Sequence, residues 1–133
     1  MKKRVQKEKK LAGIHGWLLL YVIFLLLGIS SVISNLALTF SKGSIIMVLI
    51  EVINLVLILN SLILIFKYSK KAILWNIYML IFEIITILII LIFFRSQFNF
   101  IAGVIIIFAM LYYYAWIRYW QLSKRVKNTF VKN

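Results

Sequence analysis

The sequence has no cysteine, no proline and no aspartate. Without cysteine there are no disulfides, no thiol nucleophiles and no thiolate metal ligands. Without aspartate there is no Ser-His-Asp triad, and no supporting motif surrounds a glutamate variant. Histidine occurs once, as His15 beside a basic stretch, so no second imidazole is available to build a metal site. The five glycines form neither a phosphate-cradling loop nor a small-residue dimerisation motif. Acidic residues are limited to Glu8, Glu51 and Glu83. No nucleophile, base and orienting group converge in this inventory. The expectation is therefore a protein that is not an enzyme and that carries no cofactor and no metal.

What the chain does have is apolar length. Of its 133 residues 65% are hydrophobic, a density that belongs to the membrane class rather than to a soluble core. A helix needs roughly 20 apolar residues to cross the hydrocarbon layer. Four stretches of that size are present, at 17–38, 44–66, 72–94 and 100–120. They must be helices, because open backbone groups cannot sit in lipid, and the alternation required of barrel strands is missing. The fold class expected is all-α, a polytopic integral membrane protein forming a four-helix transmembrane bundle with short loops. Residues 1–16 form a basic arm and 121–133 a basic tail. The first stretch is too long for a signal-peptide core and lacks a small-residue cleavage site, so it is read as an uncleaved span.

The formal net charge of +13 would point to nucleic acid in a soluble protein. Here the charges cluster at the ends of apolar spans, which is the pattern of topology signals, so nucleic acid is excluded as a partner. Six Lys or Arg lie in the arm, three in the central turn (Lys67, Lys70, Lys71) and four in the tail (Lys124, Arg125, Lys127, Lys132). The two other loops have one each, Lys42 and Arg95. This asymmetry predicts that both termini and the central turn are cytoplasmic. Trp17, Tyr21, Tyr68, Trp75, Tyr112, Tyr113, Tyr114, Trp116, Tyr119 and Trp120 sit near the same side, where such rings favour the headgroup level.

Polar residues inside the spans are few. Glu51 lies about 10 Å below the end of its span at about 1.5 Å per residue. Asn54 follows three residues later, and Ser44 and Ser61 fall on the same helical face. Asn76, Glu83 and Thr86 repeat the offsets in the third span. The first span adds Ser30, Ser31, Ser34 and Asn35 at the depth of Glu51. A carboxyl at depth normally faces the bundle interior and a hydrogen-bonding neighbour. Three readings stay open for Glu51, Glu83, Asn54, Asn35, Ser31 and Ser34: interhelical hydrogen bonding, a proton or cation site, or a face that docks a partner. Under the first two, Glu51 and Asn54 are expected to face other helices, with Glu51 meeting Ser31, Ser34 or Asn35.

In the tail, Val126 and Phe130 are four residues apart, which predicts a short amphipathic helix along the membrane surface with Phe130 inserted beside the headgroups. Lys67, Lys70, Lys71, Lys124, Arg125 and Lys127 then form a basic surface suited to anionic lipid headgroups or to a partner. The partners expected are the bilayer, its anionic headgroups, and a membrane-protein partner or further copies of the chain.

The segment Trp116-Ile117-Arg118-Tyr119-Trp120-Gln121-Leu122-Ser123-Lys124-Arg125-Val126-Lys127-Asn128-Thr129-Phe130 resembles the closing motif of a bacterial family of small four-span membrane proteins, domain-of-unknown-function family 2569. Gly16-Trp17-Leu18-Leu19 resembles its opening motif, and Glu51 with Asn54 its Glu-x-x-Asn pair. Arg118 departs from the pattern, where the family is expected to have proline; its presence should let the fourth span run straight through. The resemblance implies a multi-pass protein of the bacterial cytoplasmic (inner) membrane and supplies no activity. Together with the residues it points to a non-enzymatic accessory or interaction protein, the alternative being a small proton- or cation-coupled transporter or channel.

Overall fold

The computed structural model describes residues 13–93 and 99–131. Most of the basic arm, Arg95 with its loop neighbours, and Lys132 lie outside the described residues. Four long helices follow one another: α1 (Trp17–Ser41), α2 (Ile45–Phe66), α3 (Lys71–Phe93) and α4 (Phe100–Leu122). A one-and-a-half-turn helix, α5 (Lys124–Thr129), ends the fold. All four long helices are long and apolar enough to cross a membrane, and no strand occurs among the described residues. The shortest, with 22 residues, spans about 33 Å at about 1.5 Å per residue, close to the hydrocarbon thickness. The fold class is thus all-α.

The helices alternate in direction. Tyr21 near the start of α1 meets Asn76 near the start of α3 and Trp116 and Trp120 near the end of α4. Ser61 near the end of α2 meets Met79 of α3. One end of the bundle therefore gathers the start of α1, the α2–α3 turn and the end of α4. It carries Lys67, Lys70, Lys71, Arg118, Lys124, Arg125 and Lys127, and is called here the basic end. The opposite, loop end carries the α1–α2 connection.

Local sequence explains the corners. α1 runs three residues past the expected 38, and in its last turn the Thr39 and Ser41 hydroxyls donate to the Asn35 and Leu38 carbonyls. It stops at Gly43, whose left-handed φ of 67° lets its N–H reach the Phe40 carbonyl. α2 stops in the same way at Tyr68. The Tyr68 N–H donates to Ile65 O and the Ser69 N–H to Leu64 O, the pair of bonds that closes a Schellman turn. Tyr68 holds φ 54° there without being glycine, a conformation that costs about 1–2 kcal/mol. Asn99 caps α4 by accepting from the Ala102 N–H at 2.9 Å. α4 runs unbroken through Arg118, as expected where proline is absent.

Buried residues are concentrated toward the basic end. Leu18, Tyr21, Val22 and Leu25 of α1 pack with Ile58, Leu62 and Ile65 of α2, Ala72, Met79 and Leu80 of α3, and Trp116 and Trp120 of α4. In the loop half Val32 alone, among the described residues, is a buried apolar side chain. The tail departs from its expected place. α4 breaks at Ser123, whose extended backbone (ψ 120°) redirects the chain and whose hydroxyl accepts from the Val126 N–H, capping α5. Val126 and Phe130 turn toward the bundle, not toward lipid: Phe130 is 2% exposed and its ring lies 5.4 Å from that of Trp120. Burial against the indole gives the phenyl ring a fixed aromatic partner that headgroups would not supply. Thr129 ties the tail to the start of the chain, its hydroxyl accepting from the Gly13 N–H at 3.0 Å.

Candidate functional site

Two polar groupings occupy the bundle interior, and helix register places both. Near the basic end, Tyr21 donates its hydroxyl proton to Asn76 Oδ1 at 2.9 Å, and Asn76 Nδ2 donates to the Ala72 carbonyl at 2.7 Å. Asn76 is fully buried, so these bonds satisfy an amide that has no access to solvent. Trp116 and Trp120 pack on the Tyr21 ring at 4.8 and 5.3 Å between centroids. Tyr21, Trp116 and Trp120 were expected to mark the membrane interface. All three are instead buried, because the bundle interior offers their rings stacking partners and the tyrosine a hydrogen-bond acceptor.

Farther along the helices lies the carboxyl grouping. Seven residues separate Ser61 from Asn54 on α2, two turns of one face. Ser61 reaches Met79 Sδ at 3.6 Å, and Asn54, one step up the same seam, lies beside the Glu83 carboxyl. Glu51, one turn from Asn54, looks across the other seam, where the Asn35 amide stands beside it. Both carboxyls therefore lie in one region of the bundle, Glu51 one turn from the Asn54 that stands beside Glu83. Asn54 Oδ1 is buried with no hydrogen-bond partner among the described residues. α1 and α3 thus contribute one amide or carboxyl each, and α2 two, to a connected polar patch, with Asn54 as the bridge.

Glu83 also lines a cavity of about 100 Å³ with Tyr21, Phe24, Leu25, Met79, Tyr112 and Tyr113. With the Tyr21 hydroxyl committed to Asn76, Glu83, Tyr112 and Tyr113 are the remaining polar side chains of the cavity lining.

The serines of α1 do not join this patch as expected. Ser31 and Ser34 are exposed, and the Ser34 hydroxyl donates back to the Ser30 carbonyl at 3.0 Å. Ser30 does the same to Leu27 at 2.8 Å. A serine in a helix can satisfy itself on its own turn, so it need not seek a neighbour. Asn35 cannot do this as readily; it is the α1 residue found beside Glu51, yet it remains exposed. Of the basic set, Lys67, Lys70, Lys71, Lys124 and Lys127 are exposed at the basic end and Arg125 is half-buried there. Sequence reasoning missed the Tyr21–Asn76 bond and the tyrosines facing Glu83. The clue available was depth: Tyr21 falls one turn inside Trp17, beyond the first interfacial ring.

No family model, no curated protein and no solved structure matches this chain.

Proposed function

We propose that the chain is a non-enzymatic membrane protein that acts as an accessory or interaction subunit, using a helix face in its loop half to bind another membrane segment. One observation carries the reading: Asn35 stands exposed at bilayer depth, beside a half-buried Glu51. Polar groups at that depth are costly in lipid and form interhelical hydrogen bonds when a partner is present. Ser31, one turn before Asn35, extends the same exposed face. A photocrosslinker placed at residue 35 should capture one defined membrane partner, or a second copy of the chain, in a stoichiometric product. The same probe at Phe108, an exposed apolar position of α4, should capture none. Equal, diffuse labelling from both positions would overturn the reading.

A second reading, a small proton- or cation-coupled transporter or channel, is favoured by the cavity at Glu83 and the proximity of Glu51. It requires proton or monovalent-cation flux in proteoliposomes that is lost in Glu83→Gln while the protein still folds. No flux above empty liposomes would exclude it.

The charge distribution supports an orientation with both termini and the central turn cytoplasmic. The resemblance to domain-of-unknown-function family 2569 supports a placement in the bacterial inner membrane. A cysteine at position 70, exposed in the central turn, should be labelled only after the membrane is opened.

A further inference from the structure

A groove of about 390 Å³ opens between α1 and α4, lined by Trp17, Leu20, Phe24, Tyr112, Ala115, Trp116 and Tyr119. Its cause is the aromatic packing. Consecutive helices approach backbone to backbone, whereas α1 and α4 meet through rings, Phe24 on Tyr112 at 5.8 Å and on Trp116 at 6.3 Å. Rings of this size hold the helices apart and leave an apolar slot about 10 Å long, from Trp17 to Phe24 along α1. The slot ends at the basic end. α5 runs there from the end of α4 to Gly13 just ahead of α1, where Thr129 is bonded. The two helix ends that flank the slot are thus bridged by α5, on which Lys124 and Lys127 are exposed, and Arg118 is exposed on the last turn of α4. Among the described residues no carboxylate lies at this end; Glu51 and Glu83 are both deeper.

We propose that this groove is a binding site for a phospholipid with an anionic headgroup, its acyl chain lying between α1 and α4 and its phosphate facing Lys124, Lys127 and Arg118. Apolar lining with a positive rim matches that amphiphile better than a neutral one. The site is at the opposite end from Asn35 and does not depend on the interaction reading above.

The full chain, carrying Trp75→Phe to remove the exposed indole outside the groove, is reconstituted in phosphatidylcholine bilayers. A few mole per cent of acyl-brominated phosphatidylglycerol or acyl-brominated phosphatidylcholine is then added. Trp116 and Trp17 line the groove and report bromine directly. Quenching should favour phosphatidylglycerol, with about a fivefold preference for each lysine near the headgroup. Lys124→Gln with Lys127→Gln should remove most of that preference, leaving about the fivefold that Arg118 supplies, while quenching persists. Ala115→Phe, at an exposed lining position, should lower quenching by phosphatidylglycerol to the level of the neutral lipid. Equal quenching by both lipids in the parent protein would mean that the groove holds bulk lipid without selection, and would overturn the proposal. Absence of quenching by either would mean that another helix covers the groove, and would overturn it as well.

Discussion

The two halves of this bundle are built differently. The basic half is closed: four helices, the tail and the residues before α1 converge on Tyr21, Trp120 and Phe130, and its one buried amide is bonded on both sides. The loop half is open, with Val32 its single buried apolar side chain among the described residues and Asn35 left exposed. The contrast separates two uses of polar groups in a membrane. At Asn76 the polar group fixes the chain's own fold. At Asn35 and Glu51 it has an incomplete set of partners, which is the condition for recognising something else. Hydrophobicity does not distinguish the halves, since lipid is as apolar as a core; packing does.

The comparison can be broken most forcefully at Trp120. Its indole is fully buried between Tyr21 and Phe130, so Trp120→Ala should destabilise the isolated chain by about 3–5 kcal/mol, read by thermal unfolding in detergent. If unfolding is unchanged, the basic half is not the stabilising half. Phe130→Ala comes next, at about 3 kcal/mol or somewhat less because the site lies at the bundle's end. Its more specific consequence is release of α5: protease should cut near Lys127 in the variant and spare it in the parent. Equal cutting would mean that the tail is not docked. In the loop half the effects should be small. Glu51 has Asn35 beside it and little else, so Glu51→Leu should cost about 0.6 kcal/mol, the average for such contacts, and Glu51→Gln less. A loss from Glu51→Leu as large as that from Trp120→Ala would erase the contrast.

Hydropathy makes the four helices legible, because about 20 apolar residues in a row have one solution in lipid. Their packing is less legible, for the same reason. In a soluble helix the polar face marks the outside; here Ile53 and Val56, exposed, are as apolar as Ile58, which is buried. The usual period of burial is therefore absent. Polar residues gave partial guidance. Glu51 comes to lie beside Asn35, one of the three α1 residues its depth suggested, whereas Ser31 and Ser34 stay exposed, because a helical serine can bond its own backbone. The rings misled most. Interfacial preference and interior stacking draw on the same aromatic surface, and only the neighbouring helices decide between them. For the tail, the four-residue spacing of Val126 and Phe130 revealed an amphipathic helix but not which apolar surface it would cover.

The most direct measurement makes one chemical change in each half, Asn76→Leu and Asn35→Leu, and follows unfolding of the isolated chain alongside the mass of the assembly in mild detergent. Asn76→Leu leaves the Tyr21 hydroxyl buried without its acceptor, and should cost about 1–3 kcal/mol with the assembly's composition unchanged. Asn35→Leu should alter unfolding by less than about 0.5 kcal/mol, as an exposed change does, yet reduce the assembly to the single chain. If Asn35→Leu instead destabilises the isolated chain as strongly as Asn76→Leu and leaves the assembly intact, the division into a closed structural half and an open recognition half is contradicted.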